Sequence, residues 1–192
     1  MKPLFVAVVL NVTIASAILS GAMAQPVIYI VRHVEKLPAW LGDDFDDFHP
    51  LSEIGIKRAQ LLADSFAPES LAAVFCSPTT RTLHTALPLA QKLGVPVELA
   101  EACWDTTAID AFYSSLKNRF APDQAVLLIS HSNIIPYLLM RAGLRPSCWK
   151  EMGITASSEV AEMVIEGYDN LWKIMKPEPV QKDCTNFSRR RF

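Results

Sequence analysis

The 192-residue sequence contains no Cys-x-x-Cys pair among its four cysteines, which excludes the familiar structural zinc spacings. It lacks an excess of positive charge: its formal net charge is −2, and a nucleic-acid binder would carry a basic patch. It has no internal repeat and no low-complexity linker, and its length suits one domain. It also lacks an unbroken apolar run of the ~20 residues that a membrane span needs. The nearest to one, Leu4 to Leu19, is interrupted by Asn11, Thr13 and Ser16. With Lys2 before this run and Ala22-Met23-Ala24 after it, residues 1–24 read as a signal peptide, an uncleaved anchor being the rival. The processed chain is then expected to begin at Gln25 and to be periplasmic or secreted, with no membrane contact after cleavage.

Export makes disulfides permissible. Cys76 ends an apolar run and reads as a buried free thiol. Cys148 and Cys184 lie in loop-like segments and are the better bridge candidates, and the pairing of the four, with Cys103, stays open. Arg189-Arg190-Arg191 reads as a solvated tail rather than a polyanion contact. The expected parts are therefore a leader (1–24), one domain (25–180) and a basic tail (181–192).

Apolar runs alternate with helical patterns, which predicts a three-layer α/β domain whose mostly parallel central sheet is flanked by helices. Strands are expected at Pro26–Val31, Leu71–Cys76, Val95–Leu99 and Ala125–Ile129. Ser52 can cap a helix to Phe66 with Ile56, Ala59, Leu62 and Phe66 on one face. Ser77-Pro78 starts a second helix, lined by Leu83, Leu87, Ala90 and Leu93 and ended by Gly94. Ile109, Phe112, Leu116 and Phe120 mark a third, and Ser132–Ala142 a fourth. Glu159–Glu166 and Leu171–Met175 read as a hairpin joined by Gly167-Tyr168-Asp169-Asn170.

Three of the strands end in polar residues. Arg32-His33 follows IYIV, Ser77-Pro78-Thr79-Thr80-Arg81 follows AAVFC, and Ser130-His131-Ser132-Asn133 follows AVLLI. Ligands of open α/β sheets bind beyond the carboxyl ends of the strands. Two arginines and two histidines could therefore share one pocket. Guanidinium forks suit phosphate oxygens, an imidazole can carry a phosphoryl group covalently, and charge stabilisation is the main demand of phosphoryl transfer. The starts of the helices near Ser77 and Ser132 would add positive dipole ends.

The quoted segments resemble the histidine phosphatase (phosphoglycerate mutase-like) superfamily. IYIVRHVEK resembles its strand followed by Arg-His-Gly-Glu, and PLSEIGIKRAQLLA its Pro-Leu-Thr-x-x-Gly-x-x-Gln-Ala helix start. FCSPTTRTLHTALPLAQKLGVPV resembles its Ser-Pro-x-x-Arg-x-x-x-Thr-Ala helix, and LLISHSNIIPYLL its second-histidine strand. The likeness runs from about Pro26 to Met175 and is nearest to exported members reading Arg-His-Ala-Glu-Lys. It implies that His33 is the nucleophile, that Arg32 and Arg81 bind the phosphoryl oxygens, and that His131 completes the pocket. It implies phosphomonoester hydrolysis of a small phosphorylated substrate, with phosphate ion as a ligand and no metal or other cofactor.

The sequence departs from that pattern in places. Val34 stands where glycine is common, and Ala39 where mutase-like members carry a phosphate-contacting asparagine. Lys36 could replace the missing contact. The proton donor is expected at Asp105, with Glu101 as neighbour. Asp43, Asp44, Asp46 and Asp47 form an acidic loop that reads as solvated rather than as a calcium site. His49 could face the pocket, and His84 reads as packing or surface. Cys76 and Arg81 are one residue too close for a cysteine phosphatase loop, and no Gly-x-Ser-x-Gly elbow occurs. The rivals are an inactive phospho-ligand binding protein on the same fold and, further off, a mutase.

Overall fold

The computed structural model describes residues 25–38, 46–67, 70–156, 163–175 and 184–192. The expected leader lies outside them, as do Ala39, Asp43 and Asp44. Among the described residues no helix is long and apolar enough to cross a membrane.

Six strands form one mixed sheet in the order β3-β2-β4-β1-β7-β8. They are β1 (Val27–Arg32), β2 (Ala73–Cys76), β3 (Val97–Leu99), β4 (Ala125–Ser130), β7 (Asn170–Ile174) and β8 (Phe187–Arg191). The first four run parallel, whereas β7 and β8 are antiparallel additions at one edge. A separate two-stranded ribbon joins β5 (Ile154–Ala156) to β6 (Met163–Ile165).

Both faces of the sheet are covered, as a parallel sheet requires. α1 (Glu53–Asp64) and α2 (Thr80–Leu93) lie on one face. Their Leu62, Ala63, Ala86 and Leu89 meet Val31, Val74, Leu127 and Ile129. α3 (Ile109–Arg119), α4 (Ile135–Arg141) and the short α5 (Trp149–Met152) lie on the other. There Leu116, Leu138 and Met152 meet Ile28, Ile30, Phe75, Leu128 and Trp172. Alternate residues of β1 and β4 serve opposite faces, following the two-residue strand period. The result is the expected three-layer sandwich.

The chain reaches this fold with four local differences from expectation. β6 does not pair with β7 in a hairpin; it pairs with β5, and β7 pairs with β1 and β8. The arginine-rich end is not frayed: Phe187–Arg191 is the edge strand, and the Cys148–Cys184 disulfide ties its start to the 3-10 turn before α5. α2 begins at Thr80 with Thr79 as N-cap, two residues beyond the expected cap, and α4 begins at Ile135 after a turn. α2 buries Arg81, Thr82, Thr85, Ala86, Leu89 and Ala90, with Leu83 and Leu93 packed against the same core; of the expected stripe Leu87 alone is exposed, and Ile56 of α1 is exposed likewise.

α1 starts as the sequence suggested, and its start fastens the loop after β1. Ser52 Oγ accepts from the Gly55 amide at 3.1 Å, and the Ser52 amide donates to Glu35 O at 2.9 Å. Gly55 is required here, because a Cβ at that position would lie 2.1 Å from Glu35 O. The Glu35 carboxylate takes a two-pronged contact from Arg58 Nε, 2.8 and 2.9 Å to its two oxygens. Cys76 and Cys103 are free and buried.

Candidate active site

Register brings the three polar strand ends side by side. In β1, Arg32 stands opposite Ser130 of β4, and in β2, Cys76 stands opposite Ile129. Neighbouring strands are about 4.8 Å apart, so Arg32-His33, His131 and Ser77 follow one another across the same sheet end. β7 runs the other way, with Leu171 opposite Val31, so the residues before it also arrive at this end. β3 delivers the turn Glu101–Cys103, whose Cys103 carbonyl accepts from Ser130 Oγ at 2.8 Å. That contact fixes Trp104 on the far flank.

A hollow of about 560 Å³ opens over these ends. Its wall includes Arg32, His33, Lys36, Asp47, Arg81 and His131. The rings of His33 and His131 have centroids 5.3 Å apart. His33, Arg32, Arg81 and His131 are thus brought together, and Lys36 joins them. Val34 is fully buried against Leu51 and Ala59 instead of narrowing the hollow. His49 is buried and does not line it, and His84 borders a groove between α1 and α2.

Hydrogen bonds fix the two imidazole tautomers. His33 Nδ1 lies 2.8 Å from Val34 O. A carbonyl only accepts, so Nδ1 carries the proton and Nε2 keeps its lone pair. Arg81 Nη2 approaches His131 Nδ1 at 3.4 Å. A guanidinium only donates, so the His131 proton sits on Nε2 and is given to Ser77 Oγ at 2.9 Å. Ser77 belongs to a buried hydroxyl cluster with Thr79 and Thr82, at 3.1 and 2.9 Å. The Val34 amide donates to Thr85 Oγ1 at 3.1 Å, and that hydroxyl donates to Arg81 O at 2.7 Å. The backbone beside the first histidine is thereby tied to the helix that carries the second arginine.

Both rings are held neutral. Burial, reinforced by His131 and the two arginines, lowers the His33 pKa to about 3 against the pull of its Val34 bond. Burial and then Arg81, Arg32 and Lys36 lower His131 to about 4. Burial also lowers the Arg32 and Arg81 values, leaving guanidinium groups that gain from an incoming anion.

Three further residues shape the hollow that the motifs do not mark. Tyr168 stacks on Arg32, with Arg32 Cζ 4.1 Å from its ring centroid and Arg32 Nη2 3.3 Å from its hydroxyl. Trp104 forms part of the wall, as does Asp47, the only carboxylate among the described lining residues. Both expected proton donors are set back. Glu101 is exposed and does not line the hollow. Asp105 lines an adjoining cavity, and its Oδ1 accepts from the Thr107 amide and from Thr107 Oγ1, each at 2.8 Å. Those two bonds lower its pKa and favour the carboxylate form. Among the described residues no group of three or more His, Cys, Asp or Glu side chains could hold a metal ion.

Residues 28–104 match the family model for the histidine phosphatase superfamily (branch 1). No curated protein matches the chain. Among solved structures, the protein histidine phosphatase SixA complexed with tungstate is similar at 20% identity and a TM-score of 0.52, over 85% of this chain and 94% of that one. The alpha-ribazole phosphatase from Shigella flexneri gives 16% and 0.57, over 86% and 95%. Mycobacterial hydrolase 1 gives 13% and 0.58, over 87% and 97%. At these identities the likeness is one of fold.

Proposed function

We propose that this chain, a member of the histidine phosphatase superfamily, hydrolyses phosphomonoesters in two steps through a phosphohistidine on His33. A single observation carries the reading. A buried, neutral imidazole with its proton held on Nδ1 shares a hollow of about 560 Å³ with two guanidinium groups. That volume lies within the range of about 300–1,000 Å³ common for small-molecule sites.

In the first step His33 Nε2 attacks phosphorus and the bond to the alcohol oxygen breaks. Arg32, Arg81 and Lys36 offset the charge on the phosphoryl oxygens. The arriving dianion raises the pKa of His131, which then donates a proton toward a phosphoryl oxygen. The departing oxygen takes its proton from Asp47, the carboxylate that borders the hollow. In the second step water attacks the phosphohistidine, gives its proton to the same carboxylate, and phosphate leaves with the Nε2 lone pair restored.

We also propose that the protein works outside the cytoplasm. The leader-like residues 1–24 and the Cys148–Cys184 bond support an oxidising compartment. The first experiment is hydrolysis of p-nitrophenyl phosphate at mildly acidic pH by the wild type and by His33→Ala. Turnover abolished by the substitution supports the phosphatase. Phosphate or vanadate binding without any turnover supports the inactive binding protein instead.

A further inference from the structure

Beside the phosphate hollow lies a second cavity of about 460 Å³, and the two share Trp104, Asn133 and Ile134 as common wall. Their chemistry differs sharply. The first is cationic, through Arg32, Lys36 and Arg81. The second has no lysine or arginine among its described lining residues, which include Tyr137, Met163 and the Asp105 carboxylate.

Two features set this cavity apart from ordinary surface. Trp104 is 40% exposed although it is a large apolar side chain, and its position is fixed by the turn that Ser130 anchors. An indole held open on a cavity wall beside a second aromatic residue offers flat apolar contact. Asp105 is fixed as well. It caps the 3-10 turn Thr106–Ala108 through Oδ1, which leaves Oδ2 with no partner among the described residues. Thr107 holds it as a carboxylate, so a second negative charge entering here would be repelled and a donor would be welcomed.

We infer that this second cavity receives the alcohol side of the substrate. The substrate is a phosphomonoester whose alcohol carries a flat apolar face, set against Trp104 and Tyr137, and a neutral or cationic hydrogen-bond donor directed to Asp105. The inference rests on the phosphatase reading and deepens it. Phosphorus sits over His33, and the bridging oxygen lies near the wall that the cavities share.

The test uses three aryl phosphates with phenols of similar acidity: 4-methylphenyl phosphate, O-phosphotyramine and 4-(carboxymethyl)phenyl phosphate. The wild type is expected to show the highest kcat/KM for the tyramine ester and the lowest for the carboxymethyl ester. Asp105→Asn narrows that spread through KM, whereas loss of a proton donor would slow kcat for all three alike. Trp104→Ala weakens binding of the esters about three- to tenfold, and weakens inorganic phosphate less. Esters that keep their order and spread in Asp105→Asn, and that lose no more than phosphate does in Trp104→Ala, overturn the inference. Calorimetric affinities of the same esters separate this failure from that of the underlying reading. His33-dependent turnover with ester affinities insensitive to both substitutions removes the subsite and keeps the phosphatase. Ester affinities that respond as stated, without His33-dependent turnover, keep the subsite and remove the phosphatase.

Discussion

Arg32 lies under the ring of Tyr168, its Cζ 4.1 Å from the centroid, although 136 residues separate the two. The contact exists because β7 runs antiparallel to β1 and delivers the preceding turn to the carboxyl end of β1. Arg32 Nη1 also donates to Gly167 O in that turn, at 3.4 Å. Tyr168 is thus placed to position Arg32, the arginine proposed above to bind phosphate. Tyr168→Ala is expected to raise KM for small phosphomonoesters about two- to fivefold, as an exposed cation–π contact of about 0.5–1 kcal/mol implies. Tyr168→Phe, which keeps the ring, should recover most of the loss. Equal KM values for Tyr168→Ala and wild type would contradict this.

The two depressed histidine values make stability depend on pH in a definite direction. The unfolded chain takes up protons near the ordinary histidine value of about 6.5, whereas the folded rings take them up only near 3 and 4. Their neutral forms are what folding favours, so this stability is present above about pH 6.5 and is lost as pH falls toward the folded values. Between about pH 7 and about pH 4.5 the loss should be on the order of 2 kcal/mol per histidine. Urea unfolding at the two pH values measures it. His33→Asn/His131→Asn should remove that part of the slope, and bound phosphate should reduce it in the wild type. A slope identical in wild type and double variant contradicts the account.

The disulfide ties the start of the C-terminal strand to the turn before α5, and the strand itself reaches the site through β7. The bond joins residues 36 apart, and closing a loop of that size stabilises by about 3–4 kcal/mol in the chain-entropy view. β8 pairs along the whole of β7, and Arg191 reaches Asp169 at 3.3 Å beside Tyr168. Cys148→Ser/Cys184→Ser is expected to lower the unfolding free energy by about that amount and to raise KM through the Tyr168 turn. Thermal unfolding with and without reductant checks this. A melting temperature indifferent to reductant would exclude a structural role for the bond.

Leaving-group dependence identifies the acid. Asp47→Asn should slow hydrolysis of alkyl phosphates by about 100-fold or more, the lower range for general acid catalysis, and slow p-nitrophenyl phosphate far less. Glu101→Gln should change neither. An alkyl-selective loss in Asp105→Asn with none in Asp47→Asn would move the donor back to the loop after β3.

The fold was legible where local pattern and long-range pairing agree. The strand runs and the Ser52 cap needed only nearest neighbours to be read. So did the motif residues His33, Arg81 and His131. The supposed hairpin at Gly167–Asn170 failed because turn chemistry says that a chain reverses without saying which strand it then joins. β8 was hidden because an edge strand exposed on both sides can carry three consecutive arginines and look like solvated tail. The α2 stripe was legible at Leu83, Ala90 and Leu93, but Leu87 is left outside, while Thr82 and Thr85, which no apolar pattern marks, are buried through their hydroxyl bonds. Asp47 reads as part of a solvated acidic loop and Tyr168 as a turn residue, and Trp104 carries no motif of its own. For Trp104 the available signal was position: it follows the carboxyl end of a parallel strand, where such sheets build their sites.

The central claim is a covalent bond between phosphorus and His33. Acid-free denaturing quench during turnover of a small aryl phosphate, followed by intact-protein and peptide mass analysis, reads it directly. One phosphoryl group per chain, on the peptide containing His33 and absent from His33→Ala, is the predicted result. Steady turnover with no phosphorylated protein, or with the phosphoryl group on another residue, would contradict it.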